Sequence, residues 1–324
     1  MKKDLISISD LTKADVERIL DLAAQMKKDR SFGQELAGKT LALIFEKPSL
    51  RTRVTFEVGM TQLGGHAVYL SQSDIALGKR EAVSDAAKNL ERWVDGIAAR
   101  TFRHSTVSDL AANCGIPVIN ALSDEEHPCQ ALADFLTIRE KKGDPAKVRL
   151  VYLGDINNVC RSLAMLASLV GTSMVIGTRQ ADPDLFGRSE LDRRGEAQAE
   201  LARALREYVE LRLDEDPRKI VKDADVIYTD VWVSMGEENQ AKEKLRRFSP
   251  YQVNSRVIES AKKDVIFMHC LPAKRNREVT DDVLDGPHSV VFDQAENRLH
   301  VQKALLLLLL GGKAERGAAR DRIR

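Results

Sequence analysis

Short apolar runs that alternate with amphipathic helical stretches constrain this chain more than any other feature. Residues 148–153 form a nearly continuous apolar run. A strand with no face suited to water belongs in a sheet covered on both sides, which means parallel strands with helical crossovers. A Gly-Asp-Ile-Asn-Asn-Val turn (154–159) and a helical stretch over 160–170 follow at once. That is the strand, turn and helix of a doubly wound unit. The same period change recurs along the chain. Strands are expected at 40–45, 66–70, 96–100, 117–121, 174–178, 223–229, 264–268 and 290–292, with helices between them.

The chain has 324 residues, somewhat more than the roughly 250–300 at which a single hydrophobic core stops growing, so two domains of about 150 residues each are expected. The stretch 141–147, with Gly143 and Pro145, breaks the pattern and places a boundary at 140/141. An opening helix over 9–28, capped by Ser9 or Asp10, reads as structural. So does a long charged helix over 190–209. Residues 71–80 read as an exposed loop, and 311–324 as a fraying tail.

Lys plus Arg number 50 and Asp plus Glu 49, a balance that supplies no global field for nucleic acid or an anionic membrane. Anion binding must therefore be local. The apolar run 304–310 falls well short of the ~20 residues that span a bilayer and reads as a buried helix. The N-terminal residues lack the apolar core of a secretory signal, and the four cysteines Cys114, Cys129, Cys160 and Cys270 show no Cys-x-x-Cys spacing. A cytoplasmic chain with reduced thiols is expected.

Candidate chemistry gathers at strand ends. Residues 45–57 end a strand, break at Pro48 and restart as a helix bearing Arg51 and Arg53, with Ser49 and Thr52 in the opening turn. Helix-start amides, hydroxyls and guanidinium forks together make a phosphate cradle. An ordinary capped helix with solvated arginines is the competing reading. Arg100 ends one strand, and His127 and Gln130 open a helix after another. Asn157 and Asn158 follow the first strand of the second half, Asp230 ends a later one, and His269 and Cys270 end the next. In open parallel sheets ligands collect beyond the carboxyl ends of strands, and a cleft between two such domains would gather these groups.

Other chemistries fit less well. With Gly154 alone at the turn, a dinucleotide fingerprint is missing. No Gly-x-Ser-x-Gly elbow marks a serine hydrolase. Zinc held by His127, Cys129, His269 and Cys270 would need the adjacent His269 and Cys270 to face one ion, whereas neighbours in an extended segment point to opposite sides. The same alternation argues against His269 as the base for a Cys270 nucleophile. A two-domain binding protein without catalysis would need neither the cradle nor the cysteine.

Across essentially its whole length the sequence resembles the ornithine carbamoyltransferases of the aspartate/ornithine carbamoyltransferase superfamily. The resemblance is carried by Ser-Leu-Arg-Thr-Arg (49–53), His-Pro-Cys-Gln (127–130), Asp-Ile-Asn-Asn (155–158), Asp-Val-Trp-Val-Ser-Met-Gly (230–236), His-Cys-Leu-Pro (269–272) and Glu-Asn-Arg (296–298). It implies an α/β fold of two doubly wound parallel-sheet domains joined by interdomain helices. Residues 1–140 would bind carbamoyl phosphate, with a C-terminal helix over 298–324 packing back on them, and residues 141–297 would bind ornithine.

The implied reaction carries the carbamoyl group to the δ-amine of L-ornithine and yields citrulline and phosphate. A related amine or amino acid as acceptor is the alternative. Ser49, Leu50 through its amide, Arg51, Thr52, Arg100, His127 and Gln130 would hold carbamoyl phosphate, with Cys270, Leu271 and Arg298 completing the pocket. Arg100, His127, Cys270 and Arg298 would be catalytic. Asn158, Asp230, Ser234 and Met235 would bind ornithine. No metal or organic cofactor is implied, and the usual assembly is a homotrimer. Two positions depart from the family pattern: Leu50 replaces a common threonine, and Ala76 a common glutamine.

Overall fold

The computed structural model describes residues 1–29, 31–180 and 196–312. The chain divides into two compact units, Met1–Leu136 with Glu296–Arg324 and Thr137–Ala295. The division falls inside the helix Pro128–Lys142, a few residues before the linker that the sequence suggested.

The first unit holds a parallel sheet of β1 (Thr40–Phe45), β2 (His66–Ser71), β3 (Gly96–Arg100) and β4 (Val118–Leu122), ordered β2-β1-β3-β4. Its order reverses between β1 and β3, which leaves a crevice at their carboxyl ends. One face is covered by Ala86, Leu90, Val107 and Leu110, packed with Ala42, Ile44, Ile97, Ala99 and Val118. Burying one such aliphatic side chain contributes about 1.5–3 kcal/mol.

The second unit holds β5 (Arg149–Leu153), β6 (Ser173–Thr178), β7 (Val209–Leu213), β8 (Val226–Thr229) and β9 (Ile266–Met268), ordered β7-β6-β5-β8-β9 and all parallel. Here the switch point lies between β5 and β8. Val151, Leu153, Val175, Ile227 and Phe267 anchor the core on one face.

Several local expectations need correction. The opening helix is two pieces, because Ser7 and Asp10 form a capping box around the turn Ile8–Asp10, and Thr12 and Asp15 form another that starts Lys13–Lys28. Residues 71–80 are not wholly irregular: Ser71 and Asp74 cap a short helix, Gln72–Ile75. Residues 290–292 are not a strand. Only Ser289 bridges to Phe267, and Val291–Leu310 is one helix whose Leu-rich end is buried. Strand β7 was not expected: only its first residue, Val209, falls in the expected charged helix over 190–209, which is seen as Glu196–Tyr208. Residues 190–195 of that expectation, and 313–324 of the expected tail and C-terminal helix, lie outside the described residues. No helix among the described residues is long and apolar enough to cross a membrane.

Candidate active site

In the first unit the cradle is built from a strand end and a helix start. Strand β1 ends beside Arg100 of β3, in register with Phe45. The chain then turns through Pro48 into the helix Arg51–Gln62. Ser49 Oγ accepts the Thr52 amide at 3.2 Å, so Ser49 supplies the side-chain cap. Leu50 is 73% exposed and caps with no side-chain bond. The two arginines of this helix have different fates. Arg53 pairs with Glu57 at 3.0 Å and lies 3.6 Å over the Tyr69 ring. Arg51 acts electrostatically on His127.

The helix Val291–Leu310 returns Arg298 to this same turn. The two helices meet closely at Gly59, where a Cβ would be in van der Waals contact with Leu306 and Lys303, and Thr55 Oγ1 donates to Gln302 Oε1 at 2.6 Å. Arg298 is 2% exposed. Its Nη1 donates to Gln130 Oε1 at 2.6 Å and its Nη2 to Thr52 Oγ1 at 3.1 Å, while Gln130 Nε2 donates to Asp134 at 2.8 Å. Gln130 and Thr52 thus fix the guanidinium, a task that the sequence did not suggest for them. Asp134 belongs to the same relay and was missed. It lies one helical turn after Gln130, and that spacing was the available signal.

His127 is buried at the end of the β4 connection. Burial, followed by the charges of Arg298, Arg100 and Arg51, holds its imidazole well below the ordinary histidine range. It is therefore neutral near pH 7, with one N–H to donate. Three guanidiniums around a neutral imidazole suit a dianion joined to a carbonyl. Cys129 faces the protein interior: its thiol donates to the Asn120 carbonyl, and burial pushes it up to about 11. A protonated thiol is a poor zinc ligand. Ala76 adopts the left-handed conformation (φ +41°) at the end of Gln72–Ile75.

In the second unit the switch point assembles the polar groups. Asn157 caps the helix Asn158–Val170 through Oδ1, accepting from Val159 and Cys160, and its Nδ2 donates to Asp230 Oδ2 at 2.8 Å. Asp230 Oδ1 accepts the Cys270 thiol at 3.0 Å and the Val231 amide at 2.8 Å. Cys270, Asp230 and Asn157 form one hydrogen-bonded row. Asn158 is the half-buried first residue of its helix. Ser234 is half-buried, and Met235 is exposed on the loop after Asp230.

The alternation argument about His269 fails. Ligand atoms of Asp230, His269 and Cys270 all lie within 4.8 Å of one another, because the chain leaves β9 by a tight turn rather than extended. Leu271 has φ +56° and returns its amide to His269 Nδ1 at 2.8 Å. The other ring nitrogen meets the buried Glu278 at 3.3 Å. His269 braces this turn with both nitrogens, while Cys270 faces Asp230. Leu271 is half-buried at the same bend.

Comparison with known proteins agrees with this architecture. Residues 3–140 match the family described as "Aspartate/ornithine carbamoyltransferase, carbamoyl-P binding domain", and residues 146–309 match its "Asp/Orn binding domain". The chain is 49% identical over 316 residues to the ornithine carbamoyltransferase of Thermococcus kodakarensis, covering 96% of this chain and 97% of that one. It is 50% identical over 314 residues to the anabolic ornithine carbamoyltransferase of Pyrococcus furiosus, covering 96% and 97%. The solved structure of the Pyrococcus furiosus ornithine carbamoyltransferase superposes with a TM-score of 0.87 at 48% identity, covering 95% of this chain and 97% of that one. With both domain types matched in order and relatives this similar over nearly full length, the chain belongs to the aspartate/ornithine carbamoyltransferase family.

Proposed function

We propose that this chain is an ornithine carbamoyltransferase that moves the carbamoyl group of carbamoyl phosphate to the δ-amine of L-ornithine, giving L-citrulline and phosphate. The observation that carries the reading is the neutral His127 set among Arg51, Arg100 and Arg298. Phosphate meets guanidinium forks and the helix start at 49–52, with Ser49, the Leu50 amide, Thr52 and Gln130 around it. The carbamoyl oxygen meets Arg100 and the imidazole N–H, which stabilise the charge that grows on it during attack.

The amine side is Asn158, Asp230, Ser234, Met235 and Cys270. Ornithine's δ-amine, with a free pKa near the lysine value of ~10.4, is almost wholly protonated at neutral pH, so a proton must leave before the nitrogen can attack. Asp230, already the acceptor of the Cys270 thiol, orients that proton, and the pair offers it a path. The new C–N bond forms at the carbamoyl carbon. The C–O bond to phosphate breaks, and phosphate departs with the electron pair, taking up the proton that the newly bonded nitrogen gives up and stabilised by Arg51 and Arg298. The activated bond arrives with the substrate, so this route draws on no metal or organic cofactor.

Residues 1–140 with the returning helix bind carbamoyl phosphate in this reading, and residues 141–297 bind ornithine. The working assembly is a homotrimer. Four free cysteines suit a cytoplasmic setting, and the anabolic relative supports a role in arginine biosynthesis. A colorimetric citrulline assay with ornithine or aspartate as acceptor tests the reading. Citrulline with ornithine and little turnover of aspartate is expected. Comparable aspartate turnover overturns the acceptor, and no turnover with either leaves a binding protein.

A further inference from the structure

Outside the residues assigned to substrates, the second unit carries a three-way charged contact at the foot of the loop 234–236. Lys244, on the helix Ala241–Phe248, donates from Nζ to Asp155 Oδ2 at 2.8 Å and to Glu237 Oε2 at 2.7 Å. The same Glu237 oxygen accepts the Ser234 amide at 3.0 Å, and the Glu237 amide donates to the Ser234 carbonyl at 3.1 Å. At the other end, the Asp155 carbonyl accepts the Asn157 amide at 2.9 Å and the Tyr152 hydroxyl at 3.0 Å. Asn157 is the residue that donates to Asp230. One ammonium therefore joins the segment carrying Ser234 and Met235 to the turn that orients Asp230.

The two arms are unequal. The Asp155 side chain is 4% exposed and that of Glu237 is 35% exposed. Burial pushes the Asp155 carboxyl up, and Lys244 pulls it back. A charge pair this sheltered is held firmly, because removing one partner leaves the other charge buried and uncompensated, whereas the half-open Glu237 arm is screened by solvent and is the arm that can part.

We infer that Lys244 is a positioning residue for the amine acceptor, a clamp that holds the loop 234–236 in register with the turn 155–158 and so sets the affinity for ornithine. The inference rests on the acceptor reading above. Lys244 is engaged by Asp155 and Glu237 and lies outside the set assigned to the substrates. It acts through Glu237 on the Ser234 amide and through Asp155 on the Asn157 turn. The carbamoyl-phosphate groups of the first unit are not part of this contact. Loosening the clamp therefore separates the two substrates kinetically.

The test is steady-state kinetics on Lys244→Met, Lys244→Arg and Glu237→Gln, varying each substrate with the other saturating. Lys244→Met should raise the ornithine KM by about tenfold or more while moving the carbamoyl phosphate KM by less than about twofold. Lys244→Arg, which keeps the charge, should recover most of the loss. Glu237→Gln should raise the ornithine KM by roughly threefold. If Lys244→Met does not fold because Asp155 is left buried without its cation, Glu237→Gln decides alone, since it leaves the Lys244–Asp155 pair intact. An unchanged ornithine KM in folded variants, or equal movement of both KM values, overturns the clamp. Absence of citrulline from the unmodified chain would overturn the acceptor reading instead, so the two failures are distinct.

Discussion

Gln130→Met tests whether the buried relay holds Arg298 in place. Gln130 is 2% exposed, and its amide joins two charged groups, accepting from Arg298 at 2.6 Å and donating to Asp134 at 2.8 Å. Methionine keeps the length and removes both bonds. A hydrogen bond to a charged group contributes about 1.5–3 kcal/mol, so the two sum to about 3–6 kcal/mol before relaxation. Arg298 keeps Thr52 as an acceptor at 3.1 Å, and local rearrangement recovers part of the rest. The expected net loss is about 3 kcal/mol, a large share of the roughly 5–15 kcal/mol that holds a domain folded. Urea denaturation followed by fluorescence gives the loss, and a double-mutant cycle with Thr52→Val gives the coupling. Both substitutions act on one guanidinium, so their effects should depart from additivity by at least about 0.5 kcal/mol. Once Arg298 is loose, kcat/KM for carbamoyl phosphate should also fall by about tenfold or more, ~1.4 kcal/mol. A stability loss under about 1 kcal/mol with additive effects would refute the relay.

Leu50→Thr should change the apparent affinity for carbamoyl phosphate by less than about tenfold, ~1.4 kcal/mol, because the helix-start amide is the same in either residue. Arg51→Ala should lower kcat/KM by about a hundredfold, ~2.7 kcal/mol; kinetics with ornithine saturating rank the two, and a larger effect at Leu50 would sink the cradle. His127 and His300 are both held below the ordinary histidine range, chiefly by burial. The unfolded chain then takes up protons below pH ~6.5 that the folded chain refuses, so stability is full above that pH and is lost as pH falls. His127→Asn should make the decline of the urea midpoint below pH 6.5 shallower, with His300 keeping part of it; an unchanged slope would remove His127 from the account.

The frame of the fold was legible because buried parallel strands need apolar runs on both faces. Strands β1 and β3 occupy the expected residues 40–45 and 96–100, and β5 differs by one residue at its start. Where the physics weakens, so does the pattern. Strand β7 is an edge strand whose Glu210 and Arg212 face outward and pair with each other at 2.9 Å, so its sequence reads like the charged helix before it. The opposite error arose at 290–292, where three apolar residues suggested a strand. Val291 does enter the second unit's core, but from the first turn of a helix.

The site was legible by residue type and obscure by partnership. Arg51, Arg100, His127, Asp230 and Cys270 stand at or just beyond strand ends, where parallel sheets gather ligand-binding groups, and that placement is readable from the sequence. What each does depends on neighbours distant in sequence. Asn157 lies 73 residues from Asp230, Lys244 lies 89 from Asp155, and Arg298 lies 168 from Gln130. No local period encodes such pairs. The alternation rule misjudged His269 for a related reason: it assumes an extended chain, whereas here the chain bends at Leu271, whose amide returns to His269 Nδ1, and the ligand atoms of His269, Cys270 and Asp230 lie within 4.8 Å of one another. Most buried polar side chains have a partner, because their desolvation must be offset. The residues that hold a site together are therefore recovered by following each buried donor and acceptor to its mate. That route leads from Arg298 through Gln130 to Asp134 in one unit, and from Cys270 through Asp230 and Asn157 to Asp155 and Lys244 in the other.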